Sequence, residues 1–310
     1  MTAAAPRPFE PRPFEPRAFE PRAFEPASLT DADFAAIAAM AMQDFGLHLT
    51  IVKRELVYSR LLKRLNHLGI GQFHDYCRFV QSPQGTDERQ AMLSALTTNV
   101  THFYREGHHF TQLRDKILPP LIDAARRGGK VRLWSAACSA GQEPYSLAFT
   151  VLDLCPEASR LNIRILATDV DPEILRRAQT GTYPVEELKA IPEAARRHVD
   201  PVEGATFGIG AKARALVTFG NLNLIEAWPV KGPFDLIFCR NVAIYFDKPT
   251  QARLWARLAD LMTPGAHLCI GHSERVAGPA EPLLRPAGVT TYRRVAAGDG
   301  PLPLHEGPRT

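Results

Sequence analysis

The chain has 310 residues, 45% hydrophobic and 23% charged, enough for two modest domains with separate cores and unlike a fibrous or globally disordered protein. Its formal charge of +4 is too small to point to nucleic acid, which needs a strong basic patch. Pro6 and Arg7 interrupt the short Ala3–Ala5 run, so no signal peptide is expected, and no apolar stretch nears the roughly 20 residues of a membrane span. Five scattered cysteines (Cys77, Cys138, Cys155, Cys239, Cys269) form no C-x-x-C pair, which argues against a disulfide framework or a zinc site and for reduced thiols in the cytosol.

Residues 6–25 hold four copies of a five-residue unit, Pro-Arg-Pro/Ala-Phe-Glu. No helical or strand period runs through them and their apolar surface is too small to offset ordering entropy, so residues 1–27 read as a disordered tail. Phe9, Phe14, Phe19 and Phe24 are then solvated linker residues or docking points for a partner. Thr30 and Asp33 make a capping-box-like start, with Asp where Glu or Gln is usual, and Phe34, Ile37, Ala38, Ala41 and Phe45 follow at helical spacing. A second helix is predicted from Lys53 to Leu68, ending before Gly69, with Leu61, Leu65 and Leu68 along one stripe. A third spans Phe73 to Val80, and a fourth starts near Asp87 and leads into Thr97. Residues 28–125 therefore read as an all-α N-terminal domain with a linker helix.

From Lys130 the pattern changes to alternating strands and helices. Val131–Ser135, Ile163–Thr168, Phe234–Cys239 and His267–Gly271 are short β-rich runs. Helices are predicted over Pro144–Leu154, around Ile174, Leu175 and Ala178, and over Pro249–Leu261. This order predicts an α/β domain over residues 126–296 with a largely parallel, Rossmann-like sheet covered on both faces, and ligands beyond its strands' carboxyl ends. Residues 182–220, rich in Pro and Gly and with Ala215–Phe219 as a candidate strand, read as a small inserted β subdomain. Residues 297–310 read as a flexible C-terminal tail.

The first strand-to-helix turn, Ser135 to Pro144, is built mostly from small residues that let the backbone pass close to a ligand, and Pro144 suits a helix's first position. It lacks the G-x-G-x-x-G spacing of a dinucleotide site. Asp169 closes the next strand, where an acidic side chain either meets ribose hydroxyls or caps a helix. Together the two features favour an adenosine-containing ligand.

Five collinear segments make the reading specific: Leu96–Glu106 (L-T-T-N-V-T-H-F-Y-R-E), Trp134–Ser146, Ala167–Asp171 (A-T-D-V-D), Gly232–Asp247 and Gly271–Glu274 (G-H-S-E). They resemble the CheR chemoreceptor methyltransferases, and the resemblance covers roughly residues 28–295. It implies a cytoplasmic enzyme of one helical and one catalytic domain, expected to act as a monomer, that binds S-adenosylmethionine and holds no metal. The implied reaction methylates glutamates on chemoreceptor helices, giving glutamyl methyl esters and S-adenosylhomocysteine. Carried over, Asn99, Thr101 and Arg105 should lie beside the cofactor, Glu143 near its methionine part and Asp169 on its ribose. Asn223 and Leu224 should flank the adenine, and Cys239, Arg240 and Asn241 should line the pocket floor. Tyr245 would face the reacting centre with Arg105. Position 142, commonly acidic in the family, is Gln142 here, and the inserted segment looks shorter than in members that dock a receptor's C-terminal pentapeptide.

A substrate glutamate with a pKa of about 4.3 is ionised at neutral pH, so no general base is needed, and positioning becomes the main task. Arg105 and Tyr245 are the candidates for holding the carboxylate, by a guanidinium fork and a phenol hydrogen bond. Taken alone, Arg105 is as readily an ion-pair partner of Glu106, and Tyr245 a core aromatic. Lys53, Arg54, Arg60, Lys63 and Arg64 crowd the second helix, either as a solvated face or as a docking stripe for Glu-rich receptor helices. Two rival functions share these residues: a regulatory module that senses the cofactor, and a methyltransferase for a small carboxylic acid.

Overall fold

The computed structural model describes residues 27–97, 100–201 and 204–295; the repeat tail, Asn99 and the expected C-terminal tail lie outside the described residues. The N-terminal part comprises α1 (Asp31–Phe45), α2 (Arg54–Leu68), α3 (Phe73–Gln81) and α4 (Thr86–Leu96). The Thr30–Asp33 capping box forms in both directions at the head of α1, satisfying orphan N–H groups. Gly46 ends that helix at φ 66, and a Cβ there would lie 2.8 Å from Ile225 Cγ2, so glycine is required where the helical part meets the sheet domain. Phe34, Ile37, Ala41, Leu61, Leu65, Phe73 and Tyr76 share one core. Leu68 is exposed because α2 stops in that turn, at the left-handed Gly69.

The chain continues through α5 (His108–Gln112), a π-helical turn over Leu113–Ile117 and α6 (Leu118–Arg126). It then enters β1 (Val131–Ala136), α7 (Gln142–Leu154), β2 (Ile163–Asp169) and α8 (Pro172–Thr180). Next come β3 (Thr182–Pro184), β4 (Thr206–Gly208), α9 (Ala211–Arg214) and β5 (Val217–Asn221). The last elements are β6 (Phe234–Cys239), α10 (Lys248–Asp260), β7 (Met262–Ile270), β8 (Leu284–Gly288) and β9 (Thr291–Arg294). The main sheet has the order β5-β2-β1-β6-β7-β9-β8; its first five strands are parallel, and β9 is antiparallel to both neighbours. This is the expected Rossmann-like architecture.

Strand alternation divides the core. Leu133 and Phe238 face the cluster that contains α6 and α7, whereas Trp134, Ile237 and Cys239 face the cluster built on α10. Chain order reverses across β1, between β2 and β6, which creates a switch-point crevice at their carboxyl ends.

The inserted segment is smaller than expected. Its two-stranded piece is β3–β4, while β5 pairs with β2 as the edge of the main sheet and does not belong to the insertion. The Pro and Gly signals between 184 and 210 hid this boundary. The insertion is tied down where Tyr183 Oη donates to Ala140 O at 2.7 Å, and Gln142 Nε2 donates to Glu187 Oε2 at 3.1 Å. An acid at 142 would face Glu187 and repel it.

Candidate functional site

Past β1 the backbone passes through positive φ at Ala137 (61), Ser139 (49) and Gly141 (94). Small side chains tolerate this path, and it brings the Ser139 N–H to Asp169 Oδ2 at 2.8 Å. Gly141 is needed on two counts, because a Cβ would also lie 2.8 Å from Tyr183 Oη. α7 starts at Gln142, so Pro144 is its third residue rather than its first, with Glu143 in the first turn.

Beyond these strand ends lies a cavity of about 180 Å³, over ten times the roughly 10–15 Å³ that one water needs. It is shaped for a multi-atom ligand. Thr101, Arg105, Glu143, Asp169, Asn223, Leu224, Arg240, Asn241 and Tyr245, all named from the sequence, line it together. Cys239 does not. It is fully buried against α10, because alternation along β6 turns it to that face, and Cys138 lines the wall instead. Burial raises both thiols far above their ordinary pKa, which leaves them neutral.

Arg240 organises the charged end. Its Nε donates to Glu143 Oε2 at 2.7 Å, and its Nη1 donates to the Arg105 carbonyl at 2.6 Å and to His109 Nδ1 at 3.1 Å. The Glu106 carboxylate is 3.6 Å away, and the guanidinium lies over the Phe238 ring. Glu143 also accepts from Ser135 Oγ at 2.6 Å. Burial opposes ionisation of Glu106, but Arg240 and hydrogen bonds from His272 and Asn241 outweigh it and hold its pKa below the ordinary value. Burial, with Arg240 and His108 nearby, pushes His109 down to about 3, so its ring is neutral. Glu106, His108 and His109 are close enough to suggest a metal group, but the Arg240 guanidinium occupies His109 Nδ1 and places a positive charge beside them.

Asp169 is buried at the tip of β2, and its Oδ1 accepts from the Asp171 N–H at 3.1 Å. Desolvation raises its pKa, against the lowering effect of these backbone donors. The helix cap that the sequence left open at Asp169 is made by Asp171, whose Oδ1 accepts from Glu173 and Ile174. Asn223 is held by α1 and by its own loop: Nδ2 donates to Asp44 O at 2.6 Å, and Oδ1 accepts from Ile225 N.

The N-terminal helical part supplies walls the sequence did not identify. Phe45 and Leu47 face the cavity, and Leu47 forms a bridge with Phe246 while the His48 N–H donates to Tyr245 O at 2.8 Å. Phe45 carried only a helix-core signal, and the match is made by tertiary contact. Arg105 Nη1 donates to Val100 O at 2.8 Å rather than pairing with Glu106. Tyr245 is half-buried at the mouth, with Lys53 Nζ 6.0 Å from its ring centroid.

The basic stripe on α2 is narrower than its sequence suggests. Arg64 makes a two-pronged pair with buried Glu88, at 3.0 and 2.5 Å, and Tyr76 Oη joins the same carboxylate at 2.7 Å. Arg60 donates to the last carbonyls of α4, and Arg54 pairs with Asp31. Lys63 is exposed, and Lys53, just before α2, donates from Nζ to His48 O at 3.3 Å.

The lining suits a nucleoside with a charged tail. Leu222, Leu224, Phe45 and Phe246 offer an apolar slot, Asp169 an acceptor for hydroxyls, and Glu143 with Arg105 two opposite charges for an amino-acid end. Residues 99–292 match the CheR methyltransferase SAM binding domain, and residues 32–97 match the CheR methyltransferase all-alpha domain. The chain is 49% identical over 265 residues to a probable chemotaxis protein methyltransferase of Rhizobium etli, covering 84% of this chain and 99% of that one. It is 41% identical over 252 residues to the chemotaxis protein methyltransferase of Escherichia coli, covering 80% and 85%. Chemotaxis protein methyltransferase 2 of Pseudomonas aeruginosa is 39% identical over 273 residues, covering 85% and 93%.

Proposed function

Because the chain belongs to the CheR methyltransferase family and so is an S-adenosylmethionine-dependent methyltransferase, we propose that it methylates glutamate side chains of chemoreceptors in chemotactic adaptation. The observation that carries this reading is the stretch of cavity wall formed by Arg105 and half-buried Tyr245, with the Lys53 ammonium 6.0 Å from the Tyr245 ring centroid. Cationic groups there suit an incoming carboxylate. Ile51 and Val52 beside Lys53 are 61% and 89% exposed, an apolar margin that fits a protein substrate better than a small acid.

S-adenosylmethionine supplies an electrophilic methyl on a sulfonium whose departure leaves a neutral thioether. In this reading Asp169 accepts from the ribose, Asn223 and Leu224 flank the base, and Glu143 meets the ammonium of the methionine part. Thr101, Asn241 and Arg240 complete the wall, and Asn99 would join them. Arg105 and Tyr245 orient the substrate carboxylate and exclude water from it; neither has to remove a proton. Too firm a grip would stabilise the ground state, so one phenol hydrogen bond is apt. Lys53 and Lys63 steer the acidic helix, with Arg54, Arg60 and Arg64 behind them shaping the helical surface.

The test is incubation of the purified chain with receptor-containing membranes and labelled S-adenosylmethionine, followed by mass spectrometry of receptor peptides. Methyl esters on glutamate support the reading. Label confined to small acids, or absent while S-adenosylhomocysteine binds, overturns it.

A further inference from the structure

The Gly-His-Ser-Glu segment, residues 271–274, contributes nothing to the cavity wall, yet it supports the chain that does. Glu274 is 6% exposed, and both its oxygens face backbone N–H groups. Oε1 accepts from Val242 at 3.0 Å and Ala243 at 2.8 Å; Oε2 accepts from Asn241 at 3.0 Å and Gly271 at 2.5 Å. Three of these donors are successive amides of the loop that leaves β6, carrying Asn241 into the cavity and Tyr245 to its mouth. Asn241 takes φ 59, and a turn of this kind points neighbouring N–H groups to one side, making a nest for an anion. Glu274 is the resident anion.

The rest of the segment serves the same contact. A Cβ on Gly271 would lie 2.6 Å from Asn241 Nδ2 and 2.8 Å from its backbone N, so only glycine allows this approach. His272 N and Nδ1 lie 3.4 and 3.3 Å from Glu106 Oε1, which also accepts from Asn241 Nδ2 at 3.3 Å. Main chain and side chain of Asn241 are thus both held by residues outside the cavity lining.

We propose that Glu274 is a positioning residue for the cofactor cavity, fixing through the amides of Asn241, Val242 and Ala243 the loop that presents Asn241 and Tyr245. Glutamine is a poor substitute: it keeps one acceptor oxygen and turns an NH2 donor toward N–H groups.

The inference rests on the cavity being the S-adenosyl site, and the experiment separates the two on the full chain without receptor. Hydrogen exchange of the peptide spanning 241–243 is measured in the absence of ligand, and S-adenosylhomocysteine affinity by calorimetry. Glu274→Gln should speed that exchange at least tenfold and weaken binding tenfold or more. Leu152→Ala, a core truncation in the last turn of α7, should lower thermal stability yet leave both readouts within twofold. Wild-type exchange and affinity in Glu274→Gln, or losses matching those of Leu152→Ala, overturn the proposal. If Glu274→Gln does not fold, Gly271→Ala decides, since it keeps the carboxylate but displaces Asn241; unchanged affinity and exchange there also overturn it. Should the wild type not bind S-adenosylhomocysteine, the cofactor reading fails, while the exchange comparison still decides whether Glu274 holds the loop.

Discussion

Arg240 and Glu143, 97 residues apart in the chain, join through a 2.7 Å hydrogen-bonded ion pair at the inner end of the cavity. The Arg240 side chain is 2% exposed, and Glu106 lies on its other side. Arg240→Met would leave two acids without their cation, which costs about 3–5 kcal/mol for a buried pair broken from one side. Thermal unfolding should show that loss, and calorimetry should show S-adenosylhomocysteine binding abolished. An unchanged melting temperature would refute the role given to this pair.

Tyr245→Phe should lower turnover more than cofactor affinity. Tyr245's backbone is anchored through His48 and its ring lies under Lys53, so removing one hydroxyl leaves the wall in place. Steady-state kinetics with receptor membranes, paired with calorimetry, check this. Weakened cofactor binding with normal turnover at saturation would exclude the phenol from substrate positioning.

Charge reversal on α2 should split into two classes. Arg64→Glu sets a second carboxylate against buried Glu88 and should cost about 2 kcal/mol of stability, less than a fully buried pair because Arg64 is 30% exposed and Tyr76 remains. Lys63→Glu, on an exposed position, should keep its melting temperature and raise the KM for receptor, most strongly at low salt. A receptor KM independent of Lys63 at low ionic strength would remove α2 from the docking surface.

Stability should fall on mild acidification. Burial lowers His109 to about 3 and His267 to about 4, with Arg240, His108 and Glu106 facing the first and Arg293 the second. Both folded values lie below the unfolded pKa near 6.5, so below that pH the unfolded chain binds protons that the folded one refuses. Each ring contributes stability fully present above 6.5 and lost toward its folded pKa, at about 1.4 kcal/mol per pH unit. Urea titrations between pH 7 and 5 should show this slope, reduced in His109→Asn, whose Oδ1 can still accept from Arg240. A slope equal to wild type in that variant would place the proton elsewhere.

Much of this site was legible because local rules produced it. Thr30 and Asp33 announce a helix start, Gly69 a helix end, and the small residues of Ser135–Gly141 a backbone that must approach a ligand. The five collinear segments carry seven of the nine lining residues named from the sequence, the family resemblance adds Asn223 and Leu224 outside them, and the structure gathers all nine at one switch point. In the sequence alone β5 reads as part of the insertion, because its pairing with β2 is a contact across sequence that no local signal encodes.

What the amino-acid order determined by itself was the succession of helices and strands, the family resemblance and the set of residues near the cavity, since propensity, capping and alternation act over a few neighbours. Tertiary structure alone decided which charges remain available. Lys53 and the four Lys and Arg residues of α2 look alike in sequence, yet Arg64 is committed to Glu88 and Arg60 to the end of α4, because a buried carboxylate or a helix's last carbonyls must find a donor. It also decided that Phe45 and Leu47 wall the cavity, and that Glu274 lies beneath the loop bearing Asn241, relations that exist only once distant segments pack.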